Sequence, residues 1–138
     1  MPAQKPMGIK IDKVRASRTG HEYHEAWAAR VALDLLVPKT ALAAIAVEGF
    51  SAEDAPAMSD EATEVADLVR YRGSIDVAHA LSVETVQFKY SVTRATAPMR
   101  AADIAKTIQK FVVTDADLAV RIGHDRVKAV ARYEIVTN

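Results

Sequence analysis

The residues best suited to chemistry in this sequence are an aspartate, Asp67, and the triplet Gln87-Phe88-Lys89 that follows it in the chain. Gln87 and Lys89 are two residues apart, so in a β-strand both side chains project from the same face. Mg²⁺ prefers oxygen ligands, and the Asp67 carboxylate, the Gln87 amide and the Phe88 carbonyl each supply one. The Lys89 ammonium can orient or deprotonate a water molecule, or stabilise negative charge that develops on a phosphate. These residues therefore suit metal-dependent hydrolysis of a phosphodiester, although an ordinary exposed strand face gives the same spacing by chance.

Two glutamates are candidates for a further acidic ligand. Glu48 ends the first predicted strand, beside the strand that carries Asp67, and is the preferred choice. Glu25 lies in the first predicted helix, roughly opposite its apolar stripe, where a solvated or salt-bridged role fits equally well. His21 and His24 have helical spacing, but the sequence offers no third ligand nearby, so we interpret both as surface or capping residues.

Hydrophobic periodicity predicts the elements that must position these residues. The predicted helices cover residues 20–37 and 100–111, and the predicted strands cover residues 41–47, 63–72, 83–93 and 127–136. The stripe of the first helix consists of Tyr23, Trp27, Val31 and Leu35, and Pro38 ends that helix. An acidic loop is predicted over residues 50–62, and a flexible basic arm over residues 1–19. The order helix, strand, strand, strand, helix, strand predicts an α/β domain over residues 20–138.

The strand over residues 83–93 has the clearest alternation in the chain. Val86, Phe88 and Tyr90 form an apolar face that belongs in the core, which leaves Gln87 and Lys89 together on the other face. The last predicted strand runs almost to Asn138. Because a domain rarely stops on a core strand, we expect this segment to be the front part of a longer protein.

Composition removes several classes of function. The absence of cysteine excludes a disulfide scaffold, a Cys-ligated zinc site, an iron–sulfur cluster and thiol catalysis. Eighteen basic and eighteen acidic residues give no net charge, which argues against a purely electrostatic nucleic-acid coat but allows a nuclease with an acidic metal site. No nucleotide-binding glycine loop or serine-hydrolase motif is present. Without a signal sequence or a membrane-spanning stretch, the sequence predicts a cytoplasmic protein.

Several short motifs resemble the PD-(D/E)xK nuclease superfamily, and more narrowly the N-terminal endonuclease domains of bacterial anti-phage effectors of the CBASS type or fused to NTPases. The matching segments are Gly20-His-Glu-Tyr23, Val47-Glu48, Ala66-Asp67-Leu68, Gln87-Phe-Lys89-Tyr-Ser91 and Tyr133-Glu-Ile-Val-Thr-Asn138. The resemblance implies a restriction-endonuclease-like core around a central mixed sheet. It also implies catalytic roles for Asp67, Gln87 and Lys89, and a Mg²⁺ or Mn²⁺ site formed by Asp67, Gln87 and Glu48. Gln87 departs from the acid that is usual at its position.

The expected activity is cleavage of double-stranded DNA with little sequence specificity, in anti-phage defence. Arg94 and Arg100 follow the catalytic strand and are candidates for contacts to DNA phosphates. The resemblance further implies a fused C-terminal sensor or NTPase domain and a homo-oligomer when active. Two alternatives stay open: a nuclease that acts on RNA or single strands, and a non-catalytic nucleic-acid-binding or assembly module with the same fold.

Overall fold

The structure, a computed structural model, describes residues 8–89 and 97–137, and for residues 8–19 it describes the backbone only. The helices are α1 (Gly8–Ala32), α2 (Asp60–Val65), α3 (Ala101–Ile122) and α4 (His124–Val130), and the strands are β1 (Leu42–Val47), β2 (Leu68–Arg72), β3 (Ser82–Lys89) and β4 (Ala131–Thr137). Short 3₁₀ segments cover Leu33–Leu36 and Ala55–Ala57.

One four-stranded mixed sheet, in the order β1-β2-β3-β4, organises the chain. β1, β2 and β3 are antiparallel neighbours, whereas β4 is parallel to β3. A parallel neighbour needs a crossover connection, and α3 and α4 provide it. The predicted α/β class and the predicted order of the main elements are therefore confirmed, with α2 and α4 as additional short helices.

Helices cover both faces of the sheet. On one face, Ala28 and Val31 of α1 pack against Leu68, Val86 and Phe88. On the other face, a larger cluster joins the strands to α2, α3 and α4 and includes Val69, Tyr71, Val83, Leu118, Val127 and Val130. Because helices pack on both faces of β3, buried residues occur on both faces, and burial alternates only weakly along Ser82–Lys89.

The first helix differs from the prediction at both ends. It begins at Gly8 instead of residue 20, so part of the predicted arm is helical, and residues 1–7 lie outside the described residues. Residues 8–19 contain no proline and include several lysines, arginines and an alanine, which all favour helix. The α-helix ends at Ala32, and the last stripe residue, Leu35, is 40% exposed in the 3₁₀ segment instead of buried.

The acidic loop and the second strand also differ from the prediction. Residues 60–65, predicted as the end of a loop and the start of a strand, form α2. Ser59 caps this helix by accepting a hydrogen bond from the Ala62 N–H, and Asp60 and Glu61 occupy the first turn, where the helix dipole favours acids. β2 therefore begins only at Leu68, and Asp67 lies directly before it instead of within it.

The C-terminal part differs because helical spacing continues further than predicted. α3 extends beyond residue 111 to Ile122, with Thr114 and Leu118 continuing its buried stripe. Val127 and Val130, predicted in the last strand, are buried on α4, and the strand starts at Ala131. The third strand ends at Lys89 in the described residues, and the predicted remainder at 90–93 lies outside them.

An ion pair between the buried Asp54 and the partly exposed Arg121 joins the loop after β1 to α3. The Asp54 side chain is fully buried and contacts the Arg121 guanidinium at 2.7 Å. Asp54 also accepts a hydrogen bond from the Val77 N–H at 3.0 Å, which connects the loop to the β2–β3 connection. Burial raises the pKa of Asp54, and Tyr71, Arg121 and Val77 oppose that rise. The pair holds three separate segments together.

We expect Arg121→Met to destabilise the fold by about 1–2 kcal/mol, because it leaves the buried Asp54 carboxylate with its hydrogen-bond donors but without its cation. Urea unfolding followed by circular dichroism measures the loss. Arg132→Met is the matched control, because Arg132 is exposed and its guanidinium bonds only to nearby backbone carbonyls. Equal stability of the two variants would show that the Asp54 contact is not structural.

Candidate functional site

One end of each of the four strands lies at the same end of the sheet, and this brings the predicted residues together. The register places Val47 opposite Leu68, Leu68 opposite Val86, and Lys89 opposite Thr137. The end of β1, the start of β2 and the ends of β3 and β4 therefore lie at this end of the sheet. Glu48 directly follows β1, Asp67 directly precedes β2, and Lys89 is the last residue of β3. Gln87 lies two residues before Lys89, so all four residues are at this end of the sheet.

Asp67 is at the centre of this arrangement. Its Oδ2 accepts a hydrogen bond from the Phe88 backbone N–H at 2.7 Å. Burial raises the pKa of Asp67. The Phe88 N–H, the charge of His24, a hydrogen bond from the Gln87 side chain and the charge of Lys89 all oppose that rise. The carboxylate is thus half-buried, with donors and cations from β3 and α1 around it that favour its charged form.

Gln87 is held from the side opposite to Asp67. Thr107 of α3 donates its hydroxyl to Gln87 Oε1 at 2.7 Å, and Thr107 is only 1% exposed. The face of β3 that carries Gln87 is therefore in contact with α3 and is not an ordinary exposed strand face. With its oxygen bonded to Thr107, the Gln87 amide nitrogen is the group that donates to Asp67.

Lys89 lies at the end of β3 on the same face as Gln87 and is half-buried. Its positive charge lowers the pKa of Asp67, so the two charges are within electrostatic reach. The Lys89 ammonium is therefore part of the charge environment of Asp67.

The two candidate acids occupy different positions. The Glu48 backbone N–H donates to the Asp67 carbonyl at 2.9 Å, and its φ of 55° lies in the left-handed region. That conformation costs a non-glycine residue about 1 kcal/mol, and it directs the chain away from the sheet directly beside Asp67. The Glu48 side chain is exposed, as is that of Glu25 on α1. Among the described residues, no group of three or more His, Asp or Glu side chains is placed to hold a metal ion.

Sequence reasoning missed two residues of the site. Thr107 carries no motif, and its only signal is a polar side chain on the buried stripe of α3, a signal that Thr114 shares. His24 was interpreted as a surface or capping residue, yet it is half-buried with its ring 5.1 Å from the Phe88 ring. Its charge also acts on Asp67. His21 is exposed, in agreement with the prediction.

The candidate phosphate contacts are only partly described. Arg94 lies outside the described residues, whereas Arg100 is the exposed N-cap residue of α3, and its N–H donates to the Asp103 carboxylate at 2.9 Å. Arg100 precedes Thr107 by seven residues, which corresponds to about 10 Å along a helix. Arg100 and the Gln87 contact are thus on the N-terminal half of one helix.

No protein-family model and no curated protein sequence matches this chain. Among the helices in the described part of the chain, none has the length and apolar character that crossing a membrane requires.

The raised pKa of Asp67 predicts a particular pH dependence. A carboxyl group whose folded-state pKa lies above its unfolded value stabilises the fold at low pH, and that contribution is lost as pH rises through the folded pKa. We expect Asp67→Asn, measured with EDTA present, to melt at the same or a higher temperature than wild type at pH 7. This difference should shrink as pH falls below the raised pKa. A variant that is clearly less stable at pH 7 would contradict the assigned shift.

The Thr107 hydroxyl should contribute to stability through Gln87. Thr107→Val removes the donor to a half-buried amide oxygen, and we expect a loss of about 1 kcal/mol in urea unfolding. Thr114→Val is the matched control, because Thr114 is equally buried on α3 but its hydroxyl only bonds back to the Lys110 carbonyl. The control should lose much less. Equal losses would mean that the contact with Gln87 adds nothing specific.

Proposed function

We propose that this chain is a Mg²⁺-dependent endonuclease domain of the PD-(D/E)xK type that cleaves double-stranded DNA with little sequence specificity. The observation that carries the proposal is the meeting of Asp67, Gln87 and Lys89 at one end of the sheet, with the first two hydrogen-bonded and the third in electrostatic reach. A carboxylate, an amide and an amine in this arrangement match the needs of phosphodiester hydrolysis.

The topology supports a restriction-endonuclease-like core. Three antiparallel strands are followed by a crossover to a fourth strand parallel to the third, and helices lie on both faces. This is the element order that the sequence resemblance implies. The proposed catalytic triplet falls on the third strand, and Asp67 directly precedes the second.

The residues present fit a divalent cation of the Mg²⁺ or Mn²⁺ type. Asp67 is a half-buried carboxylate whose pKa is raised by burial, and a bound cation would offset that cost of ionisation. Gln87 Oε1 accepts a hydrogen bond from Thr107 and the amide nitrogen faces Asp67, so ligation of the same cation by Gln87 would require its amide group to turn over. Glu48 is preferred over Glu25 as the additional acid, because its backbone is bonded directly to Asp67. A cation held there would polarise the scissile phosphate and activate a water molecule for attack.

Lys89 has the second chemical role. Its charge is within electrostatic reach of the Asp67 carboxylate. From the end of β3 it can orient the attacking water or stabilise charge that develops on the scissile phosphate. It therefore acts on the substrate, while Asp67 and Gln87 act on the cation.

The remaining elements of the proposal concern DNA and context. Arg100, with Arg94, contacts backbone phosphates, which carry no sequence information, and this favours weak specificity. Because the chain has no net charge, its own affinity for DNA is low, and binding gains from several assembled copies. On the resemblance, the active form is a homo-oligomer in the cytoplasm, controlled by a fused C-terminal sensor or NTPase domain, and serves in anti-phage defence.

Lys89→Ala tests the centre of the proposal. Since Lys89 projects away from the face of Val86 and Phe88, the fold should survive, and Mg²⁺ binding by calorimetry should persist. We expect single-turnover cleavage of supercoiled plasmid, with protein in excess, to slow by on the order of 10²-fold. Lys89→Arg should not restore the rate, because a guanidinium differs in shape and does not give up its proton.

The control for this test is Lys128→Ala, since Lys128 is an exposed lysine on α4. It should cleave at the wild-type rate, and EDTA should abolish all cleavage. Cleavage of RNA or single-stranded DNA alone would favour the alternative nuclease. A wild-type chain that binds no Mg²⁺ or Mn²⁺ and cuts no polymer would be a binding or assembly module, and the proposal would be wrong.

A further inference from the structure

The edge strand β1 carries open backbone hydrogen-bonding groups. Antiparallel strands direct the N–H and C=O groups of alternate residues toward the partner. The Glu48 N–H bonds to Asp67, and Ala46 and Ala44 continue the same register with β2. The backbone groups of Ile45 and Val47 therefore point away from β2, toward the edge, where the described residues contribute no further strand.

β1 lacks the charges and prolines that often protect an edge strand, and its one such feature is the irregular register between Leu42 and Ala44. Its sequence, Leu-Ala-Ala-Ile-Ala-Val, contains no charge and no proline, although edge strands commonly carry lysine or proline to prevent pairing. The opposite edge strand, β4, contains both Arg132 and Glu134. One edge of the sheet is thus charged, and the other is apolar along its whole length.

Exposed apolar side chains adjoin the open edge. Leu33 and Leu36, in the 3₁₀ segment that leads toward β1, are 62% and 78% exposed, and Val37 is 53% exposed. Val47, at the far end of β1, is 52% exposed. Exposed apolar side chains thus lie at both ends of β1, and contiguous apolar patches mark interaction surfaces more often than isolated side chains do.

We propose that a second copy of this chain pairs its β1 antiparallel with this edge, so that two sheets join into one of eight strands. Self-pairing is favoured because an antiparallel pair of identical strands is two-fold symmetric and satisfies the same donors and acceptors on both copies. With no net charge, the chain also lacks the long-range repulsion that would keep copies apart. A pairing centred on Ile45 sets Ala43 of one copy opposite Val47 of the other.

This pairing is independent of the nuclease proposal. When two β1 strands pair antiparallel, the two Glu48 residues lie at opposite ends of the joined sheet. The interface therefore assembles two copies without bringing the two candidate sites together. Loss of nuclease activity would not affect it, and loss of pairing would leave the residues around Asp67 in place.

Sedimentation velocity over a wide range of protein concentration tests the pairing. Wild type should show a reversible monomer–dimer equilibrium. Val47→Pro removes the outward N–H and should raise the dimer dissociation constant at least about tenfold, which corresponds to roughly 1.4 kcal/mol. Val47→Thr keeps the N–H and the branched shape, and should dimerise like wild type. Circular dichroism checks that both variants are folded.

Ala43→Lys provides a second arm that does not depend on proline. Ala43 is exposed and lies where the register of β1 with β2 is irregular, so a charge there should block the edge without disturbing the core. If Val47→Pro fails to fold, this variant alone decides the outcome.

Hydrogen exchange followed by NMR locates the interface. The Ile45 and Val47 amides should become more protected as protein concentration rises, whereas the Ala46 amide, which faces β2, should not change. A wild-type chain that is monomeric at every concentration would overturn the proposal. So would a dimer that persists in both Val47→Pro and Ala43→Lys, because it would use another surface.

Discussion

The antiparallel register that sets Leu68 opposite Val86 is the constraint on which the candidate site depends. It places Asp67 beside the end of β3, where the Phe88 N–H is free to donate to its carboxylate. A slip of one residue would turn every side chain of β2 to the opposite face. Leu68 would then leave the α1 cluster, and Asp67 would no longer share a face with Gln87. Packing of Leu68 and Val86 against α1 thus determines where the chemistry lies.

The two ends of the sheet differ in how their charges are balanced. Away from the site, Arg70 contacts Glu84 at 2.7 Å and also pairs with Glu134, so charges on three adjacent strands compensate one another. These groups are partly exposed and contribute little to stability. At the site end, Asp67 is compensated by a backbone N–H, an amide and more distant cations, without a direct ion pair among the partners described for it. This incompletely compensated carboxylate is the feature that distinguishes the site from the rest of the sheet.

The sequence was informative where one residue's neighbours in the chain decide its environment. The alternation of Val86 and Phe88 with Gln87 and Lys89 predicted β3 and the shared face of the last two residues. The α2 helix was missed because residues 63–65 read equally as strand, although Ser59 before two acids was a capping signal. Thr107 and His24 could not be found in this way. Each reaches the site from a helix, and Thr107 is 20 positions from the Gln87 that it contacts, so only the packing of α1 and α3 on the sheet brings them there.

The presence of Gln87 at a position where nucleases of this type usually carry an acid has a consequence for the proposed function. A second carboxylate would strengthen cation binding but would repel Asp67, and a neutral amide removes that repulsion and donates to Asp67 instead. Under the proposed function, Gln87 would make the metal-free fold more stable than a second acid would, and would lower the affinity of the site for a metal ion. DNA phosphates can supply the missing negative charge, since Mg²⁺ sites commonly combine one or two carboxylates with substrate phosphate. Metal and DNA binding are then coupled, and by thermodynamic reciprocity each increases the affinity for the other by the same factor. Such a site acquires its full set of ligands only when substrate is bound.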